Sequence, residues 1–122
     1  MAKFAKYVGT ENEFQISVAN YLRLRGMEGK FHHSPNEGKM KPQYGSMRKK
    51  QGVSAGYPDI VLHLKNELYN GLAIELKVGY NKPTPEQLQW LETLKKNGWL
   101  TAWTNSFDEA KSIIDDYLSD CN

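Results

Sequence analysis

The stretch GLAIELKVGY, residues 71–80, decides the fold of this chain. Its larger apolar residues fall on alternate positions, which is typical of a β-strand: Leu72, Ile74, Leu76 and Val78. Glu75 and Lys77 alternate with them and point to the other face, about 7 Å apart along a strand that rises roughly 3.3 Å per residue. A solvated sheet face explains such a pair without any chemistry. The rest of the chain decides between these interpretations.

Composition predicts a single domain over residues 1–122, long enough to bury about two-thirds of its unfolded surface. The net charge of +2 does not indicate a class of partner. The one cysteine, Cys121, excludes a disulfide framework or a thiolate metal site. No apolar run approaches the roughly 20 residues that cross a membrane, and the N-terminal MAKFAKYVGT lacks the apolar stretch of a signal peptide. We therefore expect a cytoplasmic protein with no membrane partner.

Cap residues predict three helices. Thr10, with Glu13 three positions later, begins a helix over roughly 11–25, and Thr84 with Pro85 and Ser106 with Glu109 begin two more. At about 100° per residue, one face of the first helix forms a buried stripe made of Phe14, Val18, Tyr21 and Leu22. Glu11 falls within this stripe, whereas Glu13 points away from it. For Glu11, a favourable contact with the helix dipole is the simpler explanation.

Four strands are predicted between the helices: KFHHS, PDIVLHL, LAIELKV and WLTAW. The middle two are joined by KNELYNG, whose Asn-Gly pair is typical of a hairpin turn. The order α-β-β-β-α-β-α predicts an α/β domain with one central sheet and helices packed on it.

Residues 38–58 carry five basic residues and no acid, and we predict a long basic loop there. Its charge favours contact with phosphates, and a solvated flexible loop is the alternative. The candidate DNA-binding residues are Lys39, Lys41, Arg48, Lys49 and Lys50.

The predicted hairpin brings Asp59 and Glu75 toward one end of the sheet. Two close carboxylates stay ionised only with a cation between them. Oxygen ligands of this kind suit Mg²⁺, which would polarise a phosphoryl group and lower the pKa of its bound water. Lys77 can then orient or deprotonate that water, or stabilise the developing charge.

The three histidines do not form a better site. His32 and His33 are adjacent and point to opposite faces of a strand, and His63 lies on the next one. Zinc needs three or four convergent ligands, for which the spacing is wrong. One of His32 and His33 can face the cleft and touch phosphate; a packed or solvated histidine is the alternative.

Gly56-Tyr57-Pro58-Asp59 followed by Glu75-Leu76-Lys77 resembles the Pro-Asp and Glu-x-Lys motifs of the PD-(D/E)XK nuclease superfamily. Within it, four segments in order are similar to the VRR-NUC domain: TENEFQISVANYLRLRG, SAGYPDIVL, IELK and TPEQLQWLETLKKNGW. The resemblance covers nearly the whole chain, and SPNEG, residues 34–38, resembles a segment of phage members. It implies the restriction-endonuclease-like α/β core with a central mixed sheet.

The resemblance also implies site residues. Asp59, Glu75 and the backbone carbonyl of Leu76 would hold Mg²⁺ or Mn²⁺, Lys77 would be the catalytic lysine, and Glu11 would be an additional acid. Gln87 matches the helix glutamine near the catalytic lysine. The alternative is that Gln87 only caps its helix, because it stands three residues after Thr84, where a capping-box partner belongs.

The implied activity is a Mg²⁺-dependent endodeoxyribonuclease resembling Holliday junction resolvases, acting as a homodimer on branched DNA. A surplus of large aromatic side chains for so small a sheet is consistent with a dimer: Tyr80, Trp90, Trp99 and Trp103. The alternatives are a nuclease without branch preference and a non-catalytic DNA-binding module.

Overall fold

The structure, a computed structural model, describes residues 4–34 and 42–121. Its elements in chain order are α1 (Glu11–Leu24), β1 (Phe31–His33), α2 (Pro42–Lys50), β2 (Ile60–Leu62), β3 (Leu72–Leu76), α3 (Pro85–Lys96), β4 (Leu100–Thr104) and α4 (Phe107–Ser119). The predicted order of elements is confirmed with one helix added, α2. None of the helices in these described ranges is long and apolar enough to cross a membrane.

The strands form one mixed sheet in the order β1-β2-β3-β4, which confirms the predicted architecture. β1 pairs antiparallel with β2, β2 pairs antiparallel with β3, and β3 and β4 run parallel. The predicted hairpin is confirmed with shorter strands, and Ile60 pairs with Ile74 across it. This register brings Asp59, just before β2, next to Glu75 near the end of β3.

Helices α1 and α4 cover the face of β3 that carries Leu72, Ile74 and Leu76. The buried core there consists of Phe14, Val18, Leu22, Ile60, Leu62, Leu72, Ile74, Leu76, Ala110, Ile114 and Tyr117. The predicted stripe of α1 is confirmed except at Tyr21, which is half-buried and whose hydroxyl donates to the carboxylate of Asp115. Gln15 and Ala19 are buried as well.

The predicted helix starts are confirmed. In α1 and α3 both halves of the capping box form, between Thr10 and Glu13 and between Thr84 and Gln87. At α4 the hydroxyl of Ser106 accepts from the backbone of Glu109.

Residues 42–50 correct the prediction of an irregular basic loop, because they form α2. The last turn of α2 carries Arg48, Lys49 and Lys50, and positive charge is favourable at a helix C-terminus. Lys49 and Lys50 are exposed to solvent. The other two candidate DNA-binding residues, Lys39 and Lys41, lie outside the described residues.

Candidate active site

Asp59 is held from three sides at the start of β2. Its Oδ1 accepts a hydrogen bond from Gln15 Nε2 at 3.0 Å, and its Oδ2 accepts from the backbone N–H of Leu76 at 2.8 Å. Its own backbone carbonyl accepts from the N–H of Ser34 at 2.8 Å. Helix α1, strand β3 and the end of β1 therefore fix both the backbone and the carboxylate of Asp59.

Glu75 and Lys77 are buried together, with exposed fractions of 1% and 7%. The solvated-face interpretation is therefore wrong. Lys77 Nζ lies 3.4 Å from Glu75 Oε2. Among the residues that the structure describes, neither carboxylate oxygen of Glu75 has a hydrogen-bond partner. Buried oxygens without such partners are rare and costly, which makes Glu75 the unusual feature of the sheet.

Burial raises the pKa of both carboxyl groups. Burial raises the pKa of Glu75 to about 9, and Asp59 adds to this rise while Lys77 opposes it. Burial also raises the pKa of Asp59, against the lowering effects of Glu75, the Leu76 N–H and Lys77. At neutral pH the protein alone therefore keeps a proton on this pair, which a bound cation would displace.

Glu11 lies half-buried at the first turn of α1. Burial raises the pKa of its carboxyl, the charge of Asp59 raises it further, and the charge of Lys77 lowers it. Glu11 is therefore within electrostatic range of the buried group, as the helix phase predicted. Glu13 is exposed, and its carboxylate accepts from the backbone N–H of Thr10 at 2.9 Å.

Gln87 belongs to the cap of α3. Its Oε1 accepts from the backbone N–H of Thr84 at 2.8 Å, and its own N–H donates to Thr84 Oγ1 at 3.2 Å. The geometry therefore supports the interpretation of Gln87 as the capping-box partner of Thr84.

The loop before Asp59 packs against the first turn of α3. Gly56 has φ +87°, and a Cβ there would lie 2.7 Å from the backbone carbon of Glu86. Glycine is therefore required both by the left-handed backbone and by the close approach. Next to it, the ring of Tyr57 packs edge-on against Trp90 with centroids 4.9 Å apart. These contacts fix the approach of the chain to Asp59.

Gln15 was not predicted for this site, and His33 was predicted only as one of two histidines that can face the cleft. Gln15 is 2% exposed, and its Oε1 lies 2.5 Å from His33 Nε2. Burial lowers the pKa of His33, and the charge of Asp59 opposes this. The signal for Gln15 was present, because it stands four residues after Glu11 in the buried stripe of α1. For His33, only the pairing of β1 with β2 reveals its position.

The carboxylate oxygens of Asp59 and Glu75 suit a metal ion that keeps much of its bound water. Across residues 4–34 and 42–121, no three His, Cys, Asp or Glu side chains lie close enough together to hold a metal by themselves. Mg²⁺ takes only one or two carboxylates and completes its shell with water and phosphate. The oxygens of Glu75 lie beside Asp59 and accept no hydrogen bond from the described residues, so they fit this requirement.

The chain is similar in sequence and fold to proteins described as VRR-NUC domains. The family model described as the VRR-NUC domain matches residues 19–108. A solved structure titled VRR_NUC domain protein is similar to the chain with a TM-score of 0.82 and 30% identity, covering 95% of this chain and 93% of that one. A second, titled VRR_NUC domain, shares the fold with a TM-score of 0.56 and 23% identity, covering 88% and 96%. Among curated proteins, no relative matches significantly.

Proposed function

Because the chain belongs to the VRR-NUC domain family and has its nuclease-like fold, we propose that it is a metal-dependent endodeoxyribonuclease that hydrolyses DNA phosphodiester bonds. The observation that carries the proposal is the buried group of Asp59, Glu75 and Lys77, in which the oxygens of Glu75 have no hydrogen-bond partner among the described residues. A protein whose only task was to bind DNA has no need to bury such a group.

Asp59, Glu75 and the carbonyl of Leu76 would hold the metal, and the carboxylate of Glu11 would bind a water molecule of the metal. Mg²⁺ is the expected ion, and Mn²⁺ has the same preference for oxygen. When bound, it would polarise the scissile phosphoryl group and make water a better nucleophile. The pair must release a proton to bind the ion, because burial keeps Glu75 protonated in its absence.

Lys77 would act on the water or on the phosphate. Its ammonium lies beside Glu75 at 3.4 Å and is 7% exposed, so it is a fixed charge in a poorly solvated position. A fixed cation there would orient the attacking water or stabilise the charge that develops on the phosphoryl oxygens.

The basic segment would hold the DNA backbone. Lys49 and Lys50 are exposed in the last turn of α2, beside Arg48, and the chain runs from there to Gly56 and the site loop. Phosphate contacts by these residues, together with Lys39 and Lys41, would make binding weaken steeply with salt.

We further propose a homodimer that cuts branched DNA, such as a four-way junction, because paired cuts need two sites related by a twofold axis. Trp103 supports an interface, because it is 39% exposed on β4, at the edge of the described sheet. We expect the protein to work in the cytoplasm, that of the host cell if a phage encodes it. Light scattering after gel filtration tests the dimer, and a monomer would contradict it.

The test of catalysis uses end-labelled linear duplex, flap and four-way junction DNA with Mg²⁺ or EDTA. Wild type should cut only with Mg²⁺, and Lys77→Ala should lose about 100- to 10,000-fold in rate. Lys95→Ala is the matched control, since Lys95 is an exposed lysine of α3. Equal cleavage by all three proteins would contradict the role of Lys77 and indicate a contaminant.

The same assay separates the alternatives. Paired cuts on the junction alone support a resolvase, and cuts on every substrate support a nuclease without branch preference. DNA that is bound equally but left intact by wild type, Lys77→Ala and Asp59→Asn identifies a non-catalytic DNA-binding module.

A further inference from the structure

We propose that Gln15 and His33 form a positioning pair that holds the carboxylate of Asp59 in the single orientation in which it binds the metal. The inference rests on the proposed function, in which Asp59 is a metal ligand. Gln15 and His33 are positioning residues, because they act through Asp59.

Both carboxylate oxygens of Asp59 accept a hydrogen bond from a fixed donor. Gln15 Nε2 donates to Oδ1 at 3.0 Å, and the backbone N–H of Leu76 donates to Oδ2 at 2.8 Å. Each oxygen has one fixed donor and keeps acceptor capacity for a cation. Rotation of the carboxylate would break both bonds in a place that is 9% exposed, where few water molecules can replace them.

The side-chain amide of Gln15 has a donor end and an acceptor end, so its orientation decides whether it can bind Asp59. If the amide were turned over, its oxygen would face Oδ1 of Asp59, and two acceptors would meet. His33 opposes this turn, since its Nε2 lies 2.5 Å from Gln15 Oε1. An amide oxygen only accepts, so Nε2 of His33 carries the proton. The histidine therefore fixes the amide, and the amide fixes the carboxylate.

The neighbouring histidine provides the control. His32 is exposed and points to the opposite side of β1 from His33. It has the same chemistry one residue away, so an effect confined to His33 reports the contact with Gln15 and not a general effect of a histidine on Mn²⁺ binding.

Mn²⁺ binding by the free protein, followed by the electron paramagnetic resonance of unbound Mn²⁺, is the main test. Outer-shell partners of metal ligands contribute about 10- to 100-fold in affinity, so Gln15→Met and His33→Phe should weaken Mn²⁺ binding by about that factor. His33→Gln, whose amide N–H can replace Nε2–H, should restore most of it. His32→Phe should leave it unchanged.

A second measurement separates positioning from simple stabilisation. Hydrogen exchange of the Leu76 amide, measured by NMR without metal, reports whether Asp59 Oδ2 stays in place. Gln15→Met should accelerate this exchange by about 10-fold, while the amides of the apolar core, such as that of Ile74, exchange as in wild type. Uniform acceleration throughout the sheet would show a structural role only and overturn the proposal.

The two hypotheses fail in different ways. If wild type binds Mn²⁺ and cuts DNA while Gln15→Met and His33→Phe do the same equally well, the positioning pair is wrong and the nuclease stands. If wild type neither binds Mn²⁺ nor cuts DNA, the proposed function is wrong. In that case the Leu76 exchange alone decides whether Gln15 holds Asp59.

Discussion

The two faces of β3 are buried to the same degree and differ in what surrounds them. On one face Leu72, Ile74 and Leu76 lie in the apolar core beneath α1 and α4, and each is at most 1% exposed. On the other face Glu75 and Lys77 are 1% and 7% exposed, yet the oxygens of Glu75 have no hydrogen bond within the described residues. Burial alone therefore does not separate core from site. What separates them is whether the buried polar groups have hydrogen-bond partners. Packing is enough for an apolar side chain, whereas a buried carboxylate also needs such partners.

The largest effect is expected from Glu75→Gln on the polar face. The amide keeps the shape of Glu75 but is a much poorer ligand for a cation, so cleavage should fall by at least about 100-fold, more than an outer-shell change costs. The free energy of unfolding should not fall with it. Two measurements on the same preparation check this: the cleavage rate on the preferred DNA and unfolding in urea. Full activity in the variant would show that Glu75 is not part of the active site.

On the apolar face, Ile74→Ala should have the reverse effect. It leaves a cavity among Phe14, Ile60 and Ile114, and such truncations cost about 2–5 kcal/mol of unfolding free energy. The remaining folded protein should still cut DNA at a rate near that of wild type at low temperature. A loss of cleavage without a loss of stability would show that the two faces are not separable.

The pH dependence of stability distinguishes the faces further. The pKa of Glu75 is raised from 4.5 to about 9 in the folded chain, so the folded state binds the extra proton between these values. Without metal, stability should be greatest below the unfolded pKa and should be lost as the pH rises toward about 9, at up to about 1.4 kcal/mol per pH unit. Urea midpoints in EDTA across this window measure the slope.

In Glu75→Gln the slope should be much smaller, because the amide does not titrate. Glu92→Gln is the matched control, because Glu92 is exposed on α3 and should leave the slope of wild type in place. An unchanged slope in Glu75→Gln would assign the proton to a different group.

The smallest effect is expected at the cap of α3, outside both faces. Gln87→Ala and Thr84→Ala each remove half of the same capping box, so both should lower the free energy of unfolding by about 0.5–2 kcal/mol. The two variants should also cut DNA at equal rates. If only Gln87→Ala loses cleavage, Gln87 has a role beyond its cap.

Much of the fold could be predicted because its signals are local. The cap pairs Thr10 with Glu13 and Thr84 with Gln87 mark helix starts, and alternation in residues 72–78 marks a strand. Helix α2 was missed because its sequence has Gly45 in its middle and few apolar residues, so neither propensity nor periodicity favours a helix there.

The site was predictable where its residues share a strand or a hairpin, as Asp59, Glu75 and Lys77 do. Burial of the polar face was not predictable, since it depends on what packs there and not on the alternation within β3. The contact between Gln15 and His33 joins α1 to β1, and no local pattern records it.

The hold on Asp59 has a consequence for the synthesis of the protein. The contacts of this one residue reach back to Gln15 and Ser34 and forward to Leu76, so the carboxylate cannot be fixed until the ribosome has released the chain through β3. A nascent chain that stops before Glu75 has Asp59, Gln15 and Ser34 but lacks both Glu75 and the Leu76 N–H that holds Oδ2 of Asp59. The proposed site is therefore complete only after β3 has been made, although Asp59 itself comes earlier in the chain.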